Sequence, residues 1–273
     1  MKKLMYAGLL FCAVGCNAPV QPVQELSITV NDAEGRKLTI APIGVEAKSE
    51  ELIAEGTHYS AQLETSPSGF YYLVSIKDNA QIILPYYIPV NKKGSESTIN
   101  FGERGLVYLE GSQDNEALAA YLNAYGQQSR AIWNPNTDLS DPNVLKGFMT
   151  KADSVLNVYR CSEPVKEYLR IWGHVNAYEN YASVQRLLKA KTEDMPYSRS
   201  DLFLQPHTIF DSPIAALFPS TQNIVYSSIP NKNDLDSAFI YVNQHYTDTK
   251  LVKKVNDYIA MRYVSRYNYN NNY

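Results

Sequence analysis

Apolar residues alternate with polar ones along the first part of the chain. Leu26, Ile28 and Val30 are separated by single polar residues, and the same pattern recurs after each turn-forming stretch. Alternation of period two places apolar side chains on one face of a strand. About seven short runs of this kind follow one another. The sequence therefore predicts an antiparallel β-sandwich over residues 25–111.

One of these runs contains two prolines. Pro85 and Pro89 interrupt the apolar stretch at residues 81–90. Proline has no backbone N–H to donate to a sheet ladder, so within sheets it is found mainly on edge strands. We therefore predict that this run lies at the edge of a sheet.

Helical spacing replaces the alternation after residue 111. Ser112 and Asp114 offer side-chain oxygens to the open amides of a helix start, and Glu116 places negative charge at the positive end of the dipole. An apolar stripe at helical spacing follows in Leu118, Tyr121, Leu122 and Tyr125. This stripe predicts an amphipathic helix that packs against the preceding sheet.

Prolines mark two further helix starts, in Asp141-Pro142 and in Ser162-Glu163-Pro164. Apolar spacing also predicts a closing pair of helices at residues 234–246 and 248–266. The complete pattern is that of an α+β protein, in which a helical domain at residues 112–266 follows the sandwich. Residues 267–273 have no apolar period, and we expect a disordered tail there.

The junction between the two regions carries a family resemblance. Its motif, Gly111-Ser112-x-Asp114-Asn115-x-x-Leu118, resembles the segment that closes the N-terminal sheet domain of exported thioredoxin-like thiol-disulfide oxidoreductases of Gram-negative bacteria. Other stretches that look similar to this family are residues 69–73, 82–87, 243–249 and 263–267. The resemblance implies the accessory region of such a lipoprotein, a sheet domain followed by helices.

The resemblance assigns no catalytic residue to this chain. Members of the family continue into a thioredoxin module with a Cys-x-x-Cys pair, whereas this sequence reaches Tyr273 without one. Two interpretations follow. The chain is either a non-catalytic accessory protein or a thiol-disulfide oxidoreductase truncated before its thioredoxin module.

The N-terminus has the pattern of a lipoprotein signal peptide over residues 1–15. Met1-Lys2-Lys3 is followed by an apolar run that is shorter than the roughly 20 residues of a spanning helix. Small residues then precede Cys16, where we expect lipid attachment. Residues 16–24 contain two prolines and are predicted to form a semi-rigid tether. The expected location is the cell envelope, on the periplasm-facing side of the outer membrane.

The charge excludes nucleic acid as an expected partner. Removal of two lysines with the signal reduces 25 basic residues to 23, against 28 acidic ones. No Lys/Arg block is present to neutralise phosphates. The four histidines lack the spacing of a zinc site, and neither a phosphate-binding glycine loop nor a serine-nucleophile motif occurs. We therefore expect no metal and no cofactor.

Cysteine content leaves one free thiol. Cys12 would leave with the signal and Cys16 would carry the lipid, so Cys161 has no partner for a disulfide. Cys161 precedes a predicted helix start and follows Arg160, an environment in which a thiol can become reactive. The alternative is a small buried side chain in the core.

Tyrosine is the residue type with the clearest potential for binding. Tyrosine is enriched at interfaces because it combines a large contact area with a polar end. The candidate interface residues are Tyr72, Tyr86, Tyr87, Tyr263 and Tyr267. The alternative interpretation is that they fill half-buried positions on strands and helices.

Three functions agree with the sequence. The first is a membrane-anchored envelope lipoprotein that acts as a non-catalytic accessory or docking region for a redox module or another envelope protein. The second is the truncated oxidoreductase. The third is an envelope protein that binds a sugar or a peptide through tyrosine-rich surface.

Overall fold

Strands come first along the chain and helices follow. The computed structural model describes residues 23–44, 48–198, 202 and 206–270, so the predicted signal peptide and Cys16 lie outside the described residues. In this part of the chain nine strands precede seven helices. The fold is 48% helical and 23% strand, which confirms the α+β class.

The strands form two sheets. They are β1 (Val23–Val30), β2 (Lys37–Pro42), β3 (Glu50–Glu51), β4 (Ile53–Glu55), β5 (His58–Glu64), β6 (Phe70–Lys77), β7 (Ala80–Tyr87), β8 (Gly94–Phe101) and β9 (Val107–Glu110). One sheet has the order β4-β5-β1-β8-β9 and the other β3-β2-β6-β7. As predicted from its prolines, β7 is an edge strand.

The prediction of a wholly antiparallel arrangement is wrong at one pair. Strands β1 and β8 are parallel, whereas the other paired strands are antiparallel. The reason is the chain path, because β8 joins β1 only after the chain has passed through the other sheet. A crossover, unlike a hairpin, does not reverse the direction of pairing.

The inner faces of the two sheets share one hydrophobic core. Leu26, Ile28 and Val30 of β1 are buried, as their alternation predicts. They belong to the same cluster as Leu73 of β6 and Tyr86 of β7, which lie in the other sheet.

The sheets are bridged along both sides. On one side a single short segment forms β3 in one sheet and β4 in the other, with buried Leu52 between them. On the other side lies α1 (Gln113–Ile132), which contacts the edge strands β7 and β9. Helix α1 therefore covers both of these edges at once.

Two asparagines of α1 complete the edge strands. Asn115 Oδ1 accepts a hydrogen bond from the N–H of Tyr87 at 2.7 Å, and Asn115 Nδ2 donates to the Tyr87 carbonyl at 3.0 Å. Asn123 makes the same two bonds with Val107 of β9, at 2.9 and 2.7 Å. Each side-chain amide takes the place of a neighbouring strand and satisfies backbone groups that could otherwise pair with another chain.

The helix starts that the sequence predicts lie close to the observed ones. Ser112 caps α1 by accepting a hydrogen bond from the N–H of Asn115, and Pro164 lies in the first turn of α3. The helices after α1 are α2 (Asn143–Val158), α3 (Glu163–Ala190), α4 (Pro206–Phe210), α5 (Thr221–Ser228), α6 (Leu235–His245) and α7 (Thr249–Asn270), with a 3₁₀ turn at Ala215–Leu217.

Helices cover part of the outer face of the four-stranded sheet. Tyr168 of α3 stacks on Phe70 of β6 with ring centroids 4.5 Å apart. The ring centroids of Tyr168 and Phe218 are 4.7 Å apart. Phe70 and Tyr87 belong to the core cluster of the helices rather than to that of the two sheets. Sheet and helices are therefore joined by a continuous apolar contact.

Two predicted boundaries need correction. Strand β1 begins at Val23, within the predicted tether, because Gln24 is buried and hydrogen-bonded to the protein. Helix α7 continues to Asn270, beyond the predicted end at residue 266, and no glycine or proline interrupts the sequence there.

Candidate functional site

A cleft of about 610 Å³ lies where the loops at one end of the sheets meet the helices. Its volume falls within the range of about 300–1,000 Å³ that is typical of ligand pockets. The loops after β2, β5 and β7 form one wall, and the 3₁₀ turn and the first turns of α7 form the other. The lining residues are Ile43, Gly44, Pro67, Ser68, Tyr87, Val90, Pro164, Pro213, Ile214, Ala216, Leu217, Lys250, Lys253, Lys254 and Asp257.

Two glycines allow the loops of the first wall to pack closely. Gly44 has a φ of +81°, and a Cβ there would lie 2.8 Å from Leu217 Cδ2 of the opposite wall. Gly69 has a φ of +76°, and a Cβ there would lie 2.7 Å from the carbonyl oxygen of Ile88. Both positions need the left-handed backbone and the absent side chain of glycine.

Lysines of α7 line one side of the cleft. Lys254 Nζ donates to the carbonyl of Ala216 at 2.6 Å, which holds the ammonium group in place and leaves two further N–H donors. Lys253 forms an exposed ion pair with Asp257 at 2.7 Å. Together with Lys250, the lining contains three lysines and a single carboxylate, so the cleft carries net positive charge.

The rest of the lining is mostly apolar and offers few hydrogen-bonding groups. Pro67, Pro164 and Pro213 have no backbone N–H. A sugar requires acceptors for its hydroxyl groups, and the only carboxylate among the lining residues, Asp257, is already paired. The cleft therefore suits an anionic ligand with apolar parts better than a sugar.

The tyrosines that the sequence singles out lie in different environments. Tyr86 is fully buried and its hydroxyl hydrogen-bonds to two serines of β8, which leaves no surface for a partner. Tyr72 and Tyr87 lie between sheet and helices, and Tyr87 also lines the cleft. Tyr263 is 58% exposed on α7, and the side chain of Tyr267 lies outside the described residues.

Cys161 is buried rather than activated. It precedes α3, as expected, but is only 8% exposed and belongs to the core that joins sheet and helices. Burial, followed by the nearby Asp114 carboxylate, raises the pKa of the Cys161 thiol to about 11. Asp114 is fixed there because its Oδ1 accepts a hydrogen bond from the N–H of Ser162 at 2.7 Å. These effects oppose the lowering of the pKa that a helix N-terminus would cause.

We expect Cys161 to react slowly with iodoacetamide in the folded protein. Its pKa is raised from 9.0 to about 11, and one pKa unit is a factor of ten in thiolate, so the thiolate fraction at about pH 8 falls about 100-fold. The rate should then increase about tenfold per pH unit up to about pH 10. Mass spectrometry of the chain from residue 16 onward with Cys16→Ser, folded and in guanidinium, measures the two alkylation rates.

Equal rates in the folded and unfolded protein would contradict this expectation. The raised pKa of Cys161 also has a consequence for stability. The unfolded thiol ionises near pH 9 while the folded thiol stays protonated, so its contribution to stability is complete below that pH and decreases as the pH rises towards 11.

Metal binding, a titrating histidine and a membrane-spanning helix are three further possibilities for the described residues. No group of three or more His, Cys, Asp or Glu residues there could hold a metal ion. Burial lowers the pKa of His174 to about 4, so this imidazole is neutral at physiological pH. No helix in the same part of the chain is long and apolar enough to cross a bilayer.

Comparison with known proteins gives no assignment. No protein-family model matches the chain, and no curated protein matches it. The resemblance to exported thioredoxin-like oxidoreductases therefore stays a prediction from the motifs quoted above.

The sequence pattern does not single out the cleft lysines. Their helical spacing is visible in the sequence, but a charged helix face is most often only solvated. Nothing local indicates that the loops at residues 43–44 and 67–68 lie opposite this face. Only the packing of the helices on the sheet brings the two together.

Proposed function

We propose that this protein is a non-catalytic docking module of the cell envelope, anchored to a membrane through a lipid on Cys16. The observation that carries the proposal is the cleft, in which apolar walls face a row of lysines. The proposed occupant is an acidic segment of a partner protein that carries apolar side chains between its carboxylates.

The cleft offers both kinds of contact that such a segment needs. Val90 is 49% exposed in the free protein, so an apolar side chain of the partner would remove it from water. Apolar burial contributes about 25 cal/mol per Å². Lys250 and Lys253 stand at the exposed side of the cleft, where complementary charge increases the association rate and selects the partner.

The two-part architecture supports this role. In the proposal, residues 25–111 form a sandwich domain and residues 112–266 a helical domain, with the cleft between them. Both walls pack on one continuous core, which contains Ile43 and Tyr87 of the loop wall and Ile214 of the helical wall, and Lys254 is hydrogen-bonded to Ala216 within the helical wall. A site that is rigid before binding loses less entropy when its ligand arrives.

The environment of Cys161 favours docking over thiol chemistry. Dithiol exchange proceeds through a mixed disulfide that a second thiol resolves. Cys161 is the single free cysteine among the described residues, and it is buried with a raised pKa. The candidate partners are a redox module and another envelope protein, and either would need an acidic segment to fit the cleft.

Binding of a defined acidic peptide tests the proposal. The probe is a fluorescein-labelled peptide of about eight residues that alternates Glu and Leu, and the matched probe has Gln in place of Glu. In fluorescence anisotropy at low salt, the acidic probe should bind at least about tenfold more tightly than the neutral one. Charge reversal by Lys250→Glu with Lys253→Glu should reduce the affinity for the acidic probe by a similar factor. Added salt should reduce the affinity of the wild type for this probe.

The control variant combines Lys37→Glu with Lys151→Glu. These exposed lysines lie outside the cleft, and their substitution changes the net charge by the same amount. The control should bind the acidic probe nearly as well as the wild type. Absence of binding by the wild type, or an equal loss in both double variants, would overturn the proposal.

A further inference from the structure

The start of β1 is hydrogen-bonded to the loop that contains Val90, a residue of the cleft lining. Gln24 is only 1% exposed, although its side chain is polar. Its Nε2 donates to the carbonyls of Pro89 at 3.0 Å and Lys92 at 2.9 Å. Both acceptors belong to the loop in which Val90 lines the cleft.

A second set of hydrogen bonds joins Gln24 to the β5–β6 loop. The Tyr71 hydroxyl donates to Gln24 Oε1 at 2.9 Å and accepts from the N–H of Ser66 at 2.8 Å. The hydroxyls of Ser66 and Ser68 are 3.1 Å apart, and Ser68 lines the cleft. The first residues of β1 and this wall of the cleft therefore lie at the same end of the molecule.

The opposite end of the sheets is far from this point. Strand β1 leads away from the cleft for eight residues, a distance of about 26 Å at 3.3 Å per residue. The turn that follows contains Glu34, which is exposed. Glu34 thus marks the end of the sheets that is remote from the cleft.

We propose that the cleft opens beside the membrane and that its occupant is an acidic segment of a partner held in the same membrane. This inference rests on the proposed anchor at Cys16. Cys16 and Val23 are seven residues apart in sequence, so even a fully extended tether reaches at most about 25 Å. The tether joins the end of the module at which the cleft lies, which keeps the cleft within this reach of the bilayer.

Charge near the tether supports this orientation. Lys92 and Lys93 are exposed and immediately precede the strand that pairs with β1. An anionic bilayer surface attracts basic groups, so the lysines of this end favour contact with the membrane surface. A partner anchored in the same bilayer gains affinity from its high effective concentration at the cleft.

The experiment compares two orientations of the module on vesicles. The chain from residue 16 onward, with Cys161→Ser, is coupled through Cys16 to a maleimide lipid in phosphatidylcholine vesicles. The matched control carries Cys16→Ser, Cys161→Ser and Glu34→Cys, and is coupled at the remote end. The probe is the acidic Glu/Leu peptide on a lipid with a flexible linker of about four residues, and fluorescence anisotropy against competing free peptide measures occupancy.

When the module is coupled through Cys16, displacement of the lipid-linked probe should require at least about tenfold more free peptide than when it is coupled at the remote end. The reason is that the short linker reaches only a cleft close to the bilayer. Equal competition in the two orientations would overturn the inference while leaving the docking function intact. No binding of free probe by the uncoupled chain would instead reject the docking function itself.

Discussion

Replacement of Tyr168 by alanine is expected to lower the free energy of unfolding by about 3–5 kcal/mol, the usual cost of removing a large buried aromatic side chain. Tyr168 is 1% exposed and stacks on Phe70 of the sheet at 4.5 Å. It also packs against Phe218 at 4.7 Å and Trp172 at 5.7 Å. Its ring is thus the central contact between the four-stranded sheet and the helices. Guanidinium unfolding of the chain from residue 17 onward measures the effect.

The conservative variant Tyr168→Phe separates the ring from the hydroxyl. Phenylalanine keeps the aromatic stack and removes only the hydroxyl, which interacts with the Tyr72 side chain. Loss of one such polar contact should cost about 0.5–1.5 kcal/mol. If the alanine variant were no less stable than the phenylalanine variant, the sheet and the helices would not be held together through this ring.

Local patterns predict the elements of this fold because their causes are local. The alternation of Leu26, Ile28 and Val30 depends only on the pleat of one strand, and all three are buried. Pro85 indicates an edge strand because a missing N–H is a property of the residue itself. Ser112 indicates a helix start because its side chain bonds to an amide three residues away.

The environments of individual side chains depend on distant parts of the chain. Alternation correctly places Tyr86 and Tyr87 on opposite faces, but helices cover the outer face, so both are buried. Cys161 stands at a helix start, yet the Asp114 carboxylate comes from another helix and helps to raise its pKa. The cleft also depends on contacts between distant parts of the chain, because its two walls are far apart in sequence.

The second prediction with a large expected effect concerns Asn115. Asn115→Ala removes the acceptor for the Tyr87 N–H and the donor for the Tyr87 carbonyl, both within a buried contact. A buried backbone group without a partner costs about 1–3 kcal/mol, so we expect a loss of about 2–5 kcal/mol in the free energy of unfolding. Unpaired groups on β7 should also make the variant aggregate more readily during thermal unfolding.

Asn123→Ala provides the matched control for this edge contact. Asn123 makes the same two hydrogen bonds on the same helix, but it is only partly buried, so water can replace part of what is lost. We expect its cost to be about 1–2 kcal/mol, below that of Asn115→Ala. Because Tyr87 lines the cleft, Asn115→Ala should also weaken binding of the acidic probe, whereas Asn123→Ala should not. Unchanged stability and unchanged probe binding in Asn115→Ala would mean that Asn115 neither completes the sheet edge nor positions the cleft wall.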